Sequence, residues 1–305
     1  MNYPALLFPD FSLIALGYLL CRYTALNRPI WQAAETLVYY LLFPVLLFHS
    51  VVKSPIDLQA AANLIAAGVA LAVIGTALAY AVPHLPGLKP HIDRHDWAGT
   101  AQVAFRFNSF IALAISGPIA GAEGQLMMAI LVGIYVPLVN ISAVWPMARG
   151  RNTGFVRELV RNPLIIATAL GLAANLAGFR MPALLEPTVT RIGAASLALG
   201  LMAAGAGMQF ASLAKAKALA VSMLLIRHLL LPVTAWLLAW ALQLDTTQTT
   251  VLLAFSAVPT ASSCYVLAVK MGYNGPFVAG LVTLSTLLGM LSLPFALGVL
   301  GQLPR

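Results

Sequence analysis

Long, nearly continuous apolar runs dominate the sequence and restrict its fold more than any other feature. Hydrophobic residues make up 61% of the 305 residues and charged residues only 9%, with a mean hydropathy of +0.90. Such a chain cannot cover a water-soluble domain with polar side chains. A membrane-spanning helix needs about 20 apolar residues, so ten helices would use roughly 200 positions. We therefore expect an all-α polytopic membrane protein without a large soluble domain.

Apolar runs bounded by Gly, Pro or charged residues predict ten membrane-spanning helices, which we call spans 1 to 10. Strands are not expected, because the runs do not alternate and because open sheet edges are unstable in hydrocarbon. The spans lie at about 5–22, 31–51, 60–83, 97–120, 125–147, 161–178, 191–209, 216–241, 249–270 and 276–300.

The basic residues of the connections lie mostly on one side of these spans. Eleven follow odd-numbered spans, four follow even-numbered spans or lie at the termini, and Arg106 and Arg227 fall inside spans. By the positive-inside rule the eleven face the cytoplasm, which places both termini on the periplasmic side of the cell inner membrane. The net charge of +8 then indicates membrane orientation and not nucleic-acid binding.

Two short internal matches indicate a repeat. Residues 8–17 match 162–171 at an offset of 154, and residues 122–125 match 273–276 at an offset of 151. They divide the chain into a first five-helix repeat at 1–148, a cytoplasmic linker at 149–160 and a second repeat at 161–305. Because five is odd, the second repeat must be inverted. Inverted repeats with broken helices at the bilayer midplane are typical of transporters.

Polar residues interrupt spans 4 and 9 near their midpoints. Pro259 removes a backbone donor from span 9, and the hydroxyls that follow it are expected to cap a new half-helix. The repeat places the polar centre of span 4 opposite, so two half-helix N-termini would form an anion site. The alternative is that these side chains bond to their own helices and that Pro259 only kinks span 9. The candidate substrate-binding residues are Arg106, Asn108, Ser109, Pro259, Thr260, Ser262 and Ser263.

Arg106 and Arg227 lie about ten residues, or roughly 15 Å, from the nearest span end. Arginines at that depth usually have a function, the alternative being that they snorkel to the interface. No Asp or Glu lies at comparable depth, which favours an anionic substrate over a sodium site built from carboxylates. Glu35, His228 and Arg227 are candidates for proton or charge coupling. For Glu35 and His228 the alternative is an interfacial side chain with a solvent or loop partner.

The sequence contains no Walker loop, HExxH motif, nucleophile elbow or pair of catalytic carboxylates. We therefore expect no catalytic residue, metal ligand or cofactor. Cys21 and Cys264 lie in or beside apolar runs without CxxC spacing, so neither a disulfide nor a metal site is expected.

Several short motifs make the chain resemble the auxin efflux carrier family, which includes plant PIN-FORMED proteins and bacterial carriers of malonate or malate. The motifs are Asn162-Pro163-Leu164-Ile165, Ala257-x-Pro259-x-Ala261 with Gly272-Tyr273, Ser285-Thr286 with Leu293-Pro294, and Arg106-x-Asn108 with Phe110-Ile111. The resemblance implies ten helices in two inverted repeats of five, with spans 1, 2, 6 and 7 as a scaffold. It also implies a transport unit in which broken spans 4 and 9 cross at the substrate site, and an elevator-type movement.

The sequence departs from the plant members in its prolines. Those proteins have a span 4 proline at the position of Ala114, and their span 9 proline falls near Cys264. Pro259 is the only proline at either crossover of this sequence, so a break in span 4 must depend on Asn108 and Ser109 or be milder. The long cytoplasmic loop of plant members is also absent, so phosphorylation control through it is not expected.

The sequence thus favours a secondary carrier of a small organic carboxylate, working by uniport or with protons. The alternative is a sodium-coupled symporter with the bile acid symporter architecture, which would need extra polar ligands near the crossover. A membrane-embedded enzyme or a sensor is disfavoured, since neither clustered acids nor an output domain is present. The expected partners are the substrate anion and the lipid bilayer, with monomer and homodimer both open.

The charge asymmetry gives a test of topology. Single cysteines introduced at Gly124 and Gly150 should react with a membrane-impermeant reagent from opposite faces, Gly124 from outside. The reason is that eleven basic loop residues lie on the predicted cytoplasmic side and only four on the opposite side, so moving one helix end does not reverse the orientation. Labelling of the Gly150 position from outside intact cells would contradict it.

Overall fold

The computed structural model describes residues 3–53, 62–148, 163–208, 216–261 and 263–303. Within these ranges every regular element is a helix and no strand occurs. Five helical segments are long and apolar enough to cross a membrane: Arg28–Lys53, Ala62–His84, Ile111–Met147, Lys217–Ala241 and Gly275–Gln302. The all-α architecture is therefore confirmed, while the count of ten spans and the inverted repeats stay predictions.

The first half of the chain contains seven α-helices in the described residues. A π turn, Val38–Leu42, joins α2 to α3, and α7 consists of two helices that meet at Gly121. Gly121 has φ 68°, a left-handed conformation that glycine adopts without strain. This kink separates the segments predicted as spans 4 and 5. The helices are α1 Tyr3–Tyr23, α2 Arg28–Leu37, α3 Phe43–Lys53, α4 Ala62–Ala81, α5 Arg94–Thr100, α6 Gln102–Phe105 and α7 Ser109–Ala148.

The second half contains seven further α-helices in its described part, and a second π turn, Ile226–Leu230, joins α10 to α11. The predicted linker at 149–160 lies outside the described residues. The helices are α8 Pro163–Leu176, α9 Glu186–Ala206, α10 Lys217–Leu225, α11 Leu231–Ala241, α12 Thr246–Ala257, α13 Ser263–Lys270 and α14 Gly275–Gly298.

Polar caps fix where several helices begin. Asp245 and Gln248 form a capping box at the start of α12. Asn274 accepts a hydrogen bond from the Phe277 N–H at the start of α14, at 3.2 Å. Asp93 does the same for the Asp96 N–H at the start of α5, at 2.8 Å. These caps satisfy backbone donors that have no partner within their own helix.

The helices pack in two groups. Helices α1, α2, α3, α8 and α9 pack on one another, while α4 to α7 and α10 to α14 surround most of the buried core. Within the first group α1 and α9 approach at backbone distance. A Cβ atom placed on Gly17 would lie 1.9 Å from the Met202 carbonyl oxygen, and one on Gly205 would lie 1.8 Å from the Ile14 carbonyl oxygen. Small residues allow such close helix crossings in membranes.

This contact predicts that Gly17→Ala destabilises the protein, because rigid backbone and not a flexible side chain occupies the space. Overpacking of this kind costs about 1–3 kcal/mol, so the apparent unfolding temperature of the purified protein should fall. Gly87→Ala is the matched control, since a Cβ there meets nothing within 4 Å. Equal unfolding temperatures for the two variants would contradict the close crossing.

Candidate functional site

Two interruptions of the helices lie side by side in the interior. The first, residues 106–108, separates α6 from α7, and the second, which includes residues 258–261, separates α12 from α13. The Asn108 backbone N–H donates to the Pro259 carbonyl oxygen at 2.8 Å. The Thr260 hydroxyl donates to the Arg106 carbonyl oxygen at 3.0 Å. We call residues 106–108 and 258–261 the crossover, because these two bonds hold the interruptions together.

The interruption between α6 and α7 forms without a proline. Arg106 has an extended backbone with φ −77° and ψ 148°, and the Asn108 Oδ1 atom accepts from the Ile111 N–H at 3.2 Å. Asn108 therefore caps the start of α7, as expected from an asparagine at this position. The carbonyl of Phe105, at the end of α6, accepts from the Tyr135 hydroxyl at 3.1 Å. A cap on one side and a tyrosine on the other thus replace the missing helical bonds.

The interruption between α12 and α13 contains Pro259, and hydroxyls of α14 satisfy its backbone. The Ser292 hydroxyl donates to the Ala257 carbonyl at 2.8 Å, and the Thr260 N–H donates to the Ser285 hydroxyl oxygen at 2.9 Å. The Pro259 ring packs directly on Gly289, where a Cβ atom would lie 2.4 Å from the Pro259 Cγ atom. The sequence predicted hydroxyl caps for α13, but Thr260 bonds to the other interruption instead.

Arg227 also serves this second interruption. Its side chain is 1% exposed, so it does not snorkel to an interface. Its Nε atom donates to the Val258 carbonyl at 2.8 Å, its Nη2 atom donates to the Phe255 carbonyl at 3.3 Å, and Nη2 also contacts Val258 O. These carbonyls form the negative end of the α12 dipole, and the guanidinium neutralises it. Arg227 thus lies at the crossover, but its described hydrogen bonds go to backbone carbonyls.

His228 follows Arg227 in the π turn and bonds to α14. Its Nδ1 atom lies 2.9 Å from the Ser292 Oγ and its Nε2 atom 2.8 Å from the Ser285 Oγ. Because the Ser292 hydroxyl donates to Ala257, the Nδ1 atom must carry the hydrogen, and Nε2 of a neutral ring then accepts from Ser285. A neutral imidazole therefore satisfies the whole network. Proton coupling through His228 stays a hypothesis that this geometry does not require.

Glu35 has a partner outside the crossover. Its carboxylate forms two bonds with Arg28, the first residue of α2, from Nη1 at 2.9 Å and from Nη2 at 3.3 Å. The Arg28 guanidinium carbon also lies 5.8 Å from the centre of the Tyr265 ring on α13. This partner at a helix end is the arrangement expected of an interfacial carboxylate, so the contacts do not favour a proton role.

The side chain of Arg106 extends from the crossover, and the residue is half-buried. Its Nη1 atom donates to the Gln102 Oε1 at 2.8 Å, and its Nη2 atom donates to the Ser263 Oγ at 2.9 Å. Neither partner is charged, and among the described residues no acidic group forms an ion pair with Arg106. The guanidinium therefore retains a full positive charge that an anion can neutralise.

The candidate residues fall into two classes by burial. Asn108 is 3% exposed and Thr260 is fully buried, and with the buried Pro259 they hold the crossover together. The half-buried residues, which have surface left for a ligand, are Arg106, Ser109 and Ser263. Ser262 lies outside the described residues.

Sequence reasoning missed four residues of this region: Gln102, Ser285, Gly289 and Ser292. Gln102 had a detectable signal, since it is a polar residue one helical turn before Arg106 in an apolar segment. Ser285 belongs to a motif of the family resemblance that gives it no role in the site, and Ser292 is an ordinary residue of a membrane helix, so only their contacts assign them to this region.

One group in the described residues has the donors for a metal ion. The ligand atoms of Asp93, His95 and Asp96 lie within 4.8 Å of one another at the start of α5. Asp96 accepts from the Asn274 Nδ2 at 3.0 Å, and the His95 ring stacks on Tyr273 at 4.6 Å. Through these contacts the group packs α5 against the connection before α14. We assign no metal to it.

Comparisons with known proteins agree with an assignment to transport. A family model described as "Membrane transport protein" matches residues 146–297. A protein of Methanothermobacter thermautotrophicus named "Uncharacterized transporter" is 24% identical over 287 residues, which cover 92% of this chain and 93% of the relative. A protein of Rhizobium meliloti named "Putative malonate transporter" is 25% identical over 302 residues, which cover 93% and 92% respectively. The chain is thus similar to transporters along most of its length.

The contacts of Arg227 predict that Arg227→Met lowers stability, because two buried carbonyls lose their donors at about 1–3 kcal/mol each. The stability of Arg227→Lys should lie between those of wild type and Arg227→Met, since a single ammonium reaches fewer acceptors. The measurement is the apparent unfolding temperature in detergent, with Arg191→Met as the control at an exposed site of α9. Wild-type stability of Arg227→Met would mean that Arg227 does not hold the interruption.

Proposed function

We propose that this chain, which is similar to membrane transport proteins along most of its length, is a multi-pass membrane transporter and not an enzyme, and that it is a secondary carrier of a small organic carboxylate. It works by uniport or together with protons. The observation that carries this proposal is the crossover, where the Asn108 N–H meets the Pro259 carbonyl at 2.8 Å beside the half-buried Arg106. Broken helices that meet in the interior are the usual substrate site of secondary transporters.

The charges around the crossover support an anionic substrate. Helix α7 begins at Ser109 and α13 begins at Ser263, so each directs the positive end of its dipole toward the crossover. Arg106 adds a cation that no described acid neutralises. The negative end of α12 is covered by Arg227. An organic carboxylate fits this arrangement because Arg binds carboxylates through two parallel hydrogen bonds.

The packing supports two units that move relative to each other, as in an elevator mechanism. Helices α1, α2, α3, α8 and α9 form one group, the proposed scaffold, and the crossover lies entirely in the other. Matched glycines of the proposed repeats also make matching contacts. Gly17 of α1 approaches Met202 of α9, whereas a Cβ on Gly171 of α8 would lie 3.3 Å from the Phe48 carbonyl oxygen of α3. Two inverted five-helix repeats would make the contact of α1 with α9 equivalent to the contact of α8 with α3.

Malonate is the first substrate to test, because one full-length relative is named for it. The proposed orientation is that of the charge asymmetry, with both termini on the periplasmic side of the inner membrane. We do not propose the sodium-coupled alternative, since the described hydroxyls that could serve as its polar ligands, those of Thr260, Ser285 and Ser292, are hydrogen-bonded to backbone groups of the crossover and its flanks.

Transport into proteoliposomes tests the proposal. Radiolabelled malonate and a panel of mono- and dicarboxylates are offered with no gradient, a pH gradient or a sodium gradient. We expect saturable movement of at least one carboxylate without sodium, and stimulation by a pH gradient separates proton coupling from uniport. If only neutral or cationic solutes move, the carboxylate proposal is wrong, and strict dependence on sodium would restore the symporter alternative.

The role of Arg106 gives a sharper prediction. Arg106→Lys keeps the charge but cannot form the two-point contact with a carboxylate, so the apparent affinity should fall. The loss of a charge-assisted pair costs about 2–3 kcal/mol, or roughly 30- to 150-fold. The control is Arg191→Lys on the exposed face of α9, and the measurement is the concentration dependence of transport. Near wild-type affinity of Arg106→Lys would show that Arg106 is not a substrate ligand.

A further inference from the structure

Gln102 is a fully buried polar residue that connects Arg106 to the end of α5 and to the start of α13. It is 0% exposed and lies in α6, four residues before Arg106. Its Oε1 atom accepts from the Arg106 Nη1 at 2.8 Å. Its Nε2 atom donates to the Gly99 carbonyl at 3.0 Å and to the Cys264 carbonyl of α13 at 3.1 Å. One amide therefore bridges the end of α5, the guanidinium and the start of α13.

These three bonds fix the orientation of the amide. The carbonyls of Gly99 and Cys264 can only accept, and the Arg106 guanidinium can only donate. Exchanging Oε1 and Nε2 would bring donor against donor at Arg106 and acceptor against acceptor at both carbonyls. Gln102 therefore presents its oxygen, and not its nitrogen, to Arg106.

An amide oxygen holds a guanidinium without cancelling its charge, whereas a carboxylate at the same place would form an ion pair with it. The second partner of Arg106, the Ser263 hydroxyl, is also neutral. The guanidinium is thus held by Gln102 of α6 and by Ser263 of α13, and neither partner cancels its positive charge.

We propose that Gln102 is the positioning residue for Arg106, and that its neutrality is what lets the site select an anion. This inference rests on the proposed function, in which Arg106 binds the carboxylate. Gln102 itself does not contact the substrate. It sets the direction of the guanidinium and leaves the substrate to supply the negative charge.

The test measures equilibrium binding of malonate to the purified, full-length protein and its variants. Gln102→Glu puts an acid of nearly the same shape at this position. When ionised it pairs with Arg106 and competes with malonate, and when protonated it resembles the amide. The affinity of Gln102→Glu relative to wild type should therefore fall roughly tenfold to a hundredfold at neutral pH and recover as acid protonates the introduced carboxylate.

Taking the ratio to wild type at each pH removes the titration of malonate itself. Gln125→Glu is the matched control, since it makes the same chemical change at an exposed site of α7. Its ratio should stay near one at every pH. Because the pH dependence is measured within one folded variant, a general loss of folding does not produce it.

Gln102→Met separates orientation from charge. It removes the oxygen acceptor and should weaken malonate binding about tenfold with no dependence on pH beyond that of wild type. In an Arg106→Lys background the same change should have little further effect, because Gln102 acts through the guanidinium. Full additivity of the two losses would indicate a merely structural role.

Wild-type affinity of Gln102→Met, or a ratio for Gln102→Glu that is flat with pH, would overturn the positioning role while leaving the carboxylate carrier intact. If instead the wild-type protein binds neither malonate nor any other carboxylate of the panel, the proposed function is wrong and this assignment is wrong with it.

Discussion

The hydrogen bond between the Asn108 N–H and the Pro259 carbonyl is the contact on which the site depends. A membrane interior has no water to satisfy a broken helix, so each unpaired backbone group there costs several kcal/mol. When two interruptions lie side by side, some of the unpaired backbone groups of one can bond to those of the other. The rest is met by Tyr135, Arg227 and the serines of α14. These bonds together satisfy many of the free backbone groups around the crossover, and this allows irregular backbone to exist in the interior.

The same requirement separates two arginines that look alike in the sequence. Arg227 is fully committed to carbonyls at the end of α12, where its charge meets the negative end of a helix dipole. Arg106 has only neutral partners and remains half-buried. One cation therefore stabilises the broken helix, and the other, which has no acidic partner among the described residues, is the one proposed to bind the substrate. A site of this kind attracts an anion without holding a permanent countercharge.

The crossover lies within one group of helices, and this indicates which helices would move together with the site. The π turn between α10 and α11 bonds to the interruption between α12 and α13 through Arg227 and to α14 through His228, and the α14 serines bond to the same interruption. These helices would therefore move together with the site. The other group, with backbone contact between α1 and α9 at Gly17 and Gly205, is suited to remain still. A carrier that shifts its site across a membrane needs one rigid unit sliding on another.

The sequence alone determined the membrane environment, the helical class and the positions of both interruptions, because hydrophobic run length, Pro259 and the polar group at Asn108 act locally. It also identified Arg106 and Arg227 by their predicted depth within the spans. Only the tertiary structure decided that Arg227 bonds to backbone carbonyls while Arg106 bonds to neutral side chains, and that Gln102 is one of those partners. These assignments depend on contacts between helices far apart in the chain, such as Arg227 with Val258 and Gln102 with Cys264. The partner of a buried polar group is set by packing geometry, which the spacing of residues along one helix does not contain.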